Sequence, residues 1–246
     1  MLQSLKSLAA LYLLTGIALA QEPPSKKEDF HVYLLIGQSN MAGRAPFNKE
    51  EAKPMNGVFL LNGEERWEVA SNPLNRHSTI RKGLGMQKMN PGYSFALEMH
   101  KEGQAIGLVV NAKGGSKIEQ WAADTKFYKE AVRRAREAQK TGTLKGVLWH
   151  QGESNHGRPA GYAERLAQLV ENLRRDLGDE DLPFVAGQIV RPSPINDEIL
   201  ELPKSVENTA VASSEGLKTY DRWHFDAESV RELGKRYAQA MRKLTR

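Results

Sequence analysis

The sequence HVYLLIGQSNM, residues 31–41, joins a run of apolar residues to a short polar turn. The apolar run, residues 32–36, shows no polar alternation, which is typical of a strand buried on both faces of a parallel sheet. Gly37 allows a tight exit from this strand, and Ser39 follows on the first turn. Because ligands of open parallel sheets bind outside the carboxyl ends of the strands, Ser39 is a candidate nucleophile. Serine and asparagine after a strand are also common turn and helix-capping residues.

Five further apolar runs are short, and most are bounded by Gly, Pro or Asn, which is typical of strands. They are residues 58–61, 106–110, 146–149, 184–189 and 209–212. Three helical patterns lie among them, at residues 127–138, 162–177 and 230–244. Strands that alternate with helices predict an α/β protein with three α/β/α layers and a parallel sheet. Two stretches, residues 62–104 and 190–205, show neither pattern. Such stretches are usually functional loops or unrecognised helices and strands, and we expect these two to shape a substrate groove.

The composition fits one α/β domain, since 246 residues with 40% apolar content can bury a sizeable core. The formal net charge of +5 comes from basic residues dispersed among acidic ones. No nucleic-acid-binding motif is present, so nucleic acid is not a predicted partner. The sequence contains no cysteine, which excludes a cysteine nucleophile, thiolate metal sites and disulfides.

The N-terminus has the pattern of a secretory signal peptide. Lys6 precedes an apolar stretch at residues 8–19, and Ala18-Leu19-Ala20 forms a small-x-small cleavage signal before Gln21. The stretch is short of the ~20 apolar residues that span a bilayer, so no stable membrane anchor is expected. We therefore predict a secreted or periplasmic protein. Residues 1–20 are the signal peptide, 21–28 a polar lead-in, and 29–246 a single domain.

The far end of the chain supplies the groups that a serine nucleophile needs. Asp221 and His224 place a carboxylate and an imidazole three residues apart, just before a helical pattern. A serine hydroxyl is a weak nucleophile unless a histidine takes its proton, and that histidine needs a third group to orient it. A separation of three allows both side chains to face one cleft. Taken alone, this segment also fits a capping aspartate and a surface histidine.

Four blocks of the chain resemble the SGNH-type hydrolases, and within them the carbohydrate esterases of family 6 and the sialate O-acetylesterase-like proteins. The blocks are GQSNM at residues 37–41, KGGS at 113–116 with Trp121 a little further on, WHQGES at 149–154, and DRWH at 221–224. They extend over most of the mature chain. The resemblance implies a flavodoxin-like strand order for the predicted sheet.

Glu153 is a second candidate for the carboxylate that orients His224. It lies two residues after Gln151, from where a side chain has a route to the same histidine. The resemblance favours Asp221, because its spacing from His224 is the SGNH arrangement. The predicted catalytic residues are Ser39, His224 and Asp221, with Glu153 as the alternative or assisting acid.

The tetrahedral intermediate of ester hydrolysis carries negative charge on the former carbonyl oxygen, which preorganised donors must meet. The glycine turn Gly114-Gly115, after a predicted strand, is suited to present backbone amides, and the amide of Ser39 is a further donor. By resemblance, the side chain of Gln151 is the third, at a position where other SGNH enzymes use an asparagine.

Four residues are candidates for contact with the substrate: Gln38, Asn40, Trp121 and Arg191. No metal or other cofactor is predicted, because His150-x-x-Glu153 alone offers too few ligands for a metal site.

The residues and the resemblance predict a serine esterase that removes O-acetyl groups from carbohydrates through an acetyl-enzyme, with acetylated xylan as the leading substrate. A sialate O-acetylesterase or another sugar deacetylase is the alternative within enzymes. A non-catalytic carbohydrate-binding protein is the alternative of another class, against which the joint presence of Ser39, Gln151, Asp221 and His224 argues. An α/β-hydrolase lipase is disfavoured, because Met41 stands where the Gly-x-Ser-x-Gly elbow requires glycine.

Overall fold

The computed structural model describes residues 21–81, 83–101 and 103–245. The predicted signal peptide, residues 1–20, lies outside the described residues. The strands are β1 (Phe30–Gly37), β2 (Val58–Leu61), β3 (Trp67–Val69), β4 (Ala105–Ala112), β5 (Thr143–His150), β6 (Phe184–Gly187) and β7 (Thr209–Ala212). They form one sheet in the order β3-β2-β4-β1-β5-β6-β7.

All pairings in this sheet are parallel except that of β3, which pairs antiparallel with β2 at the edge. Without the β2–β3 edge pair, the remaining strands follow the order 2-1-3-4-5, which is the flavodoxin-like order. The predicted α/β fold with a flavodoxin-like parallel sheet is therefore confirmed.

Six α-helices are present in the described part of the chain. They are α1 (Ser39–Ala42), α2 (Gly92–His100), α3 (Lys126–Ala138), α4 (Tyr162–Leu177), α5 (Ile195–Ser205) and α6 (Ala227–Leu244). Alternate residues of β1 point to opposite faces of the sheet, so that Leu34 and Ile36 pack with α3, α4 and α5, whereas Tyr33 and Leu35 pack with α2 and α6. The sheet is thus the middle of three layers.

The sequence explains where the predicted helices begin and end. In α4, apolar residues recur every three or four positions and are buried on one face, including Leu166, Leu169 and Leu173. Gly178 ends this helix in the left-handed conformation, at a φ of 74°. The α6 helix begins after Asp226, whose carboxylate accepts a hydrogen bond from the Ser229 amide at 2.8 Å.

Residues 62–104 and 190–205 are not loops throughout, so part of each stretch is the unrecognised helix or strand that the sequence left open. The first stretch contains β3 and α2, and the second contains α5. The α2 helix packs along α6 and buries Phe95 and Met99, so tertiary burial stabilises it. Helix α5 was hidden because Pro203 lies inside it, and proline ordinarily argues against a helix interior.

The polar lead-in contacts the end of the sheet at which the strands begin. The hydroxyl of Thr143 donates to the carbonyl of Lys27 at 2.8 Å, and the amide of Gly57 donates to the side chain of Gln21 at 3.1 Å. In the described ranges, no helix combines the length and the apolar content that a bilayer crossing requires.

Candidate active site

The sheet order places the end of β1 between two neighbours that end level with it. In the strand register, Gly37 lies beside Ala112 of β4 and His150 of β5. Gly37 has a φ of 134°, and a Cβ there would lie 2.1 Å from the carbonyl oxygen of His150. Only glycine fits this exit, and the chain then turns directly into α1, which begins at Ser39. The serine therefore stands at the topological switch point of the sheet.

The imidazole of His224 lies between the Ser39 hydroxyl and the Asp221 carboxylate. Its Nε2 atom is 3.0 Å from Ser39 Oγ, and its Nδ1 atom is 2.7 Å from Asp221 Oδ2. A carboxylate that accepts from Nδ1 leaves Nε2 free to accept the serine proton. This arrangement can activate a hydroxyl for attack on an ester.

The segment that carries Asp221 and His224 is held by hydrogen bonds of its own. Oδ1 of Asp221 accepts from the backbone amides of Trp223 at 2.7 Å and His224 at 2.8 Å. Partial burial alone raises the pKa of Asp221, but the hydrogen bond from His224 and those two amides together outweigh it, so its pKa lies below the usual value. The ring of Tyr220 stacks on His224 with 5.9 Å between the ring centres.

An open cleft of about 390 Å³ lies over these groups. Ser39, Gly114 and Gly115 line it, and no acceptor within the described residues takes a hydrogen bond from their backbone amides. The Ser39 amide is also one of the first amides of α1, which lack intrahelical partners. These three N–H groups are therefore available to an oxygen that gains negative charge above Ser39. The residues that line the cleft are Gln38, Ser39, Arg44, Met86, Gly114, Gly115, Glu153, Ser154, Trp223 and His224.

Gln151 does not take part in this cleft, and its predicted role as an oxyanion donor is not supported by the geometry. The side chain is fully buried. Its amide nitrogen donates to Gln38 Oε1 at 3.1 Å, to the Ser116 carbonyl at 3.0 Å and to Asn155 Oδ1 at 2.8 Å. The side-chain amide of Gln151 therefore uses its hydrogens in bonds inside the protein. These bonds connect the segment after β5 to neighbouring loops.

Glu153 lines the cleft but makes no hydrogen bond to His224. Its Oε1 atom accepts from the side-chain amide of Asn40 and lies 3.7 Å from Nε2 of the buried His150. Its buried Oε2 atom has no hydrogen-bond partner among the described residues. The structure thus brings Asp221, and not Glu153, to the imidazole that contacts Ser39.

Gln38, which lines the cleft, and Asn40, both predicted to contact substrate, connect parts of the site to one another. Oε1 of Gln38 accepts from the side chain of Gln151 and from the amides of Gly152 and Ser154, the latter two at 3.3 and 3.2 Å. The Asn40 side chain donates to the Trp223 carbonyl at 3.0 Å and accepts from the Phe225 amide at 3.3 Å. Both side chains are almost fully buried.

Trp121 and Arg191 lie outside the cleft. The predicted role of Trp121 in substrate contact is corrected, whereas that of Arg191 stays a prediction. Trp121 is 1% exposed and packs edge-on against Trp149, with 5.4 Å between the ring centres. Burial of this large apolar ring in the core explains its position better than sugar contact does. Arg191 borders a separate surface cleft and donates to Gln188 Oε1 at 2.8 Å.

Four residues of the cleft were not among the predicted site residues, namely Arg44, Met86, Ser154 and Trp223. Ser154 and Trp223 lie inside the WHQGES and DRWH blocks, which were the signal for them. Arg44 follows the GQSNM block by three residues, and this proximity was the available signal. Met86 had none, because it lies in a stretch without periodicity. Among the described residues, no group of three or more acidic or histidine side chains is placed to hold a metal ion.

Comparison with known families gives a match over almost the whole described chain. The family model described as "Carbohydrate esterase, sialic acid-specific acetylesterase" matches residues 29–243. A protein of Arabidopsis thaliana named "Probable carbohydrate esterase At4g34215" is 31% identical over 235 residues, which cover 85% of this chain and 89% of the plant protein.

Solved structures give the same picture for the fold. The crystal structure of the Arabidopsis thaliana protein AT4G34215 has a TM-score of 0.80 and 29% identity, and the match covers 91% of this chain and all of that chain. The structure of XAC1771, a carbohydrate acetylesterase from Xanthomonas citri, has a TM-score of 0.66 at 23% identity, with 87% of this chain and 56% of that chain covered.

Proposed function

This chain belongs to the carbohydrate esterase family of the sialic acid-specific acetylesterases, and we propose that it is a serine esterase that removes O-acetyl groups from carbohydrates. Membership of the family makes it an ester hydrolase. The proposal adds the chemical mechanism, the acyl group and the substrate.

The observation that carries the mechanism is the unbroken hydrogen-bonded series from Ser39 Oγ through His224 to Asp221. Ser39 Oγ attacks the acetyl carbonyl carbon while His224 Nε2 takes the hydroxyl proton. The bond from that carbon to the sugar oxygen then breaks, and His224 returns the proton to the departing oxygen. Water, deprotonated by the same imidazole, attacks the carbonyl carbon of the acetyl-enzyme. The bond from that carbon to Ser39 Oγ breaks, His224 returns the proton to Oγ, and acetate leaves. Asp221 keeps the imidazole oriented throughout.

Acetylated xylan is the leading substrate within this proposal. The cleft is open to solvent and shallow enough for an acetyl group on a polymer to reach Ser39 without the whole sugar being enclosed. An acetylated sialic acid is the second candidate, favoured by the description of the matching family model.

Acetate release from a panel of substrates tests the proposal. The panel holds acetylated xylan, acetylated mannan, acetylated sialic acid and p-nitrophenyl acetate. Ser39→Ala should lose activity by up to ~10⁶-fold on every substrate that the wild type cleaves, as triad enzymes do. Ser213→Ala, which changes a serine remote from the cleft, is the matched control and should retain wild-type rates.

The outcomes of this panel separate the candidates. Release from the polymers with little release from sialic acid supports the first substrate, and the reverse supports the second. Retention of more than about a tenth of the activity in Ser39→Ala, against losses of that size, removes Ser39 from the mechanism. No release from any substrate, with glycan binding retained, indicates a carbohydrate-binding protein.

We also propose that the protein acts outside the cytoplasm, as a secreted or periplasmic enzyme. Support comes from the signal-peptide pattern of residues 1–20. N-terminal sequencing of the exported protein should start at Gln21, whereas a chain that starts at Met1 contradicts export by cleavage.

A further inference from the structure

Arg44 stands in the catalytic cleft without an acidic partner. Its Nη1 atom donates to the carbonyl oxygens of Gly43 at 2.7 Å and Met86 at 3.0 Å. In the part of the chain that the structure describes, no carboxylate pairs with the guanidinium, and the side chain that acts on it electrostatically is Tyr220. The Nη2 end remains directed to the cleft, which Arg44 lines.

The Nη2 atom lies against the glycine turn, on the same cleft as the nucleophile. A Cβ atom built on Gly114 would be 2.5 Å from Arg44 Nη2 and 3.9 Å from the Cβ of Ser39. The guanidinium therefore occupies the space that a side chain at position 114 would fill, and that space borders the serine. Gly114 does not have a left-handed φ, so the absence of its side chain makes room for Arg44 and is not required by the backbone.

A cation in this place is costly unless an anion joins it. Partial burial lowers the pKa of Arg44, although a guanidinium stays protonated in proteins. Removing a charge from water without a partner is unfavourable. The anion that forms beside Ser39 during ester hydrolysis is the oxygen of the tetrahedral intermediate, and charge-assisted hydrogen bonds to such an oxygen are about twice as strong as neutral ones.

We propose that Nη2 of Arg44 donates a hydrogen bond to the ester carbonyl oxygen as that oxygen becomes negatively charged. Arg44 then acts as the side-chain donor of the oxyanion hole, beside the backbone amides of Ser39, Gly114 and Gly115. The guanidinium keeps its protons in every step; it gains an acceptor in the tetrahedral intermediate and loses it when the carbonyl re-forms. This inference rests on the proposed serine esterase function.

Arg44→Met tests the proposal on p-nitrophenyl acetate, a neutral ester without a sugar. We expect kcat to fall by ~10²- to 10³-fold, the usual effect of removing one oxyanion donor, with KM changed little. Arg44→Lys should lose less, because it keeps the charge. Guanidinium ion added to Arg44→Met should restore part of the activity, which a purely structural role of the side chain would not allow.

Arg81→Met is the matched control. Arg81 also donates to a loop carbonyl, that of Ser78 at 2.9 Å, but does not line the cleft. Arg81→Met should leave kcat unchanged. It shows how much the loss of a hydrogen bond to a loop carbonyl changes kcat by itself. Circular dichroism and thermal unfolding of all variants establish that each is folded.

Gly114→Ala is a second, independent test of the proposal. The methyl group should push Nη2 aside at small cost in stability, because the displaced atom is the end of a flexible side chain. It should lower kcat strongly in the wild type but much less in Arg44→Met. If Gly114→Ala lowered kcat equally in the wild type and in Arg44→Met, Arg44 Nη2 would not act from its position beside Gly114.

Two results overturn the proposal. One is a kcat on p-nitrophenyl acetate within about threefold of wild type in folded Arg44→Met, against the expected 10²-fold. The other is a loss confined to KM and to esters of acidic sugars, which would make Arg44 a receptor for a substrate carboxylate. Failure of the serine mechanism itself is distinguishable, since Ser39→Ala would then remain active.

Discussion

The side-chain amide of Asn40 donates a hydrogen bond to the buried carboxylate of Glu153, although the two residues are 113 positions apart in the chain. The same amide donates to the carbonyl of Trp223, between the two residues that orient and perform the proton transfer. Glu153 therefore acts on the segment at residues 221–225 through Asn40 and not through direct contact with His224. Because Asp221 contacts His224 directly and Glu153 does not, Asp221 should contribute more to turnover.

Asp221→Asn should lower kcat far more than Glu153→Gln. An asparagine at position 221 can stabilise the wrong tautomer of the histidine, which can lower kcat by ~10⁴-fold in a triad enzyme. A glutamine at position 153 still offers an oxygen to Asn40, so we expect a loss of at most about tenfold, or ~1.4 kcal/mol. Steady-state rates on p-nitrophenyl acetate measure both, with His224→Ala as the floor. The reverse ranking would transfer the acid role to Glu153.

Asn40→Ala should lower both stability and turnover. It removes hydrogen bonds to Glu153, Trp223 and Phe225, and each buried group left unpaired costs roughly 1–3 kcal/mol. A shift of the His224 segment by about 1 Å can lower kcat by ~10²-fold.

Asn196→Ala is the control for this prediction. Asn196 is a buried asparagine that makes two hydrogen bonds to the backbone of Ile189, away from the His224 segment. It should lower the unfolding temperature without lowering kcat of the folded fraction. If Asn40→Ala behaves in the same way, Asn40 supports the fold and does not position His224.

Gln151→Glu should destabilise the protein more than Gln151→Ala. The carboxylate would face the acceptor atoms of Gln38, Ser116 and Asn155, which now receive hydrogen bonds from the amide. Denaturant unfolding should show a loss of several kcal/mol, since a buried charge without a partner is strongly unfavourable. A stable variant whose kcat falls ~10²- to 10³-fold would instead restore the oxyanion role that the family resemblance implied.

Stability should fall in acid partly through Glu51. The hydrogen bond from Arg231 lowers the pKa of this carboxyl, although burial opposes the shift. The free-energy contribution of Glu51 is therefore present above its unfolded-state pKa of ~4.3 and is lost as pH falls through the lower folded-state value. The unfolding free energy of Glu51→Gln should fall less than that of wild type between about pH 5 and 3.

Arg231→Met checks the cause of this pH dependence. Arg231 Nη2 donates to Glu51 at 3.0 Å and joins α6 to the loop that follows α1. Without the arginine, the acid dependence should flatten as it does in Glu51→Gln. A wild-type slope in both variants would show that another carboxylate is responsible.

The sequence was sufficient for the parts of the site that depend on local order. A continuous apolar run such as residues 32–36 has enough hydrophobic surface to form a buried strand, and the residue that follows its glycine must then lie at the edge of the sheet. Asp221 and His224 are close enough in the chain for one turn to bring them together. The same reasoning predicted all five core parallel strands with ends within three residues of those observed.

Side-chain direction was decided only by tertiary structure. Gln151 follows β5 and was expected in the cleft, yet its amide is used between buried loops because Gln38, Ser116 and Asn155 surround it. Trp121 was a candidate for substrate contact but is buried against Trp149. A sequence motif specifies which group is present near the site, but the packing of neighbouring segments determines whether that group faces ligand or core.

What the sequence by itself determined was the class of fold, the strand that carries Ser39 and the local pairing of Asp221 with His224. Only the tertiary structure decided which carboxylate reaches the imidazole, that Asn40 joins Glu153 to the segment that carries His224, and that Arg44 lies against Gly114 in the same cleft. The physical reason is how far apart in the chain the interacting residues lie. Strand burial and turn geometry arise from neighbours in the chain, whereas the hydrogen bond between Ser39 and His224 joins residues 185 positions apart and exists only after the sheet has brought its strand ends together.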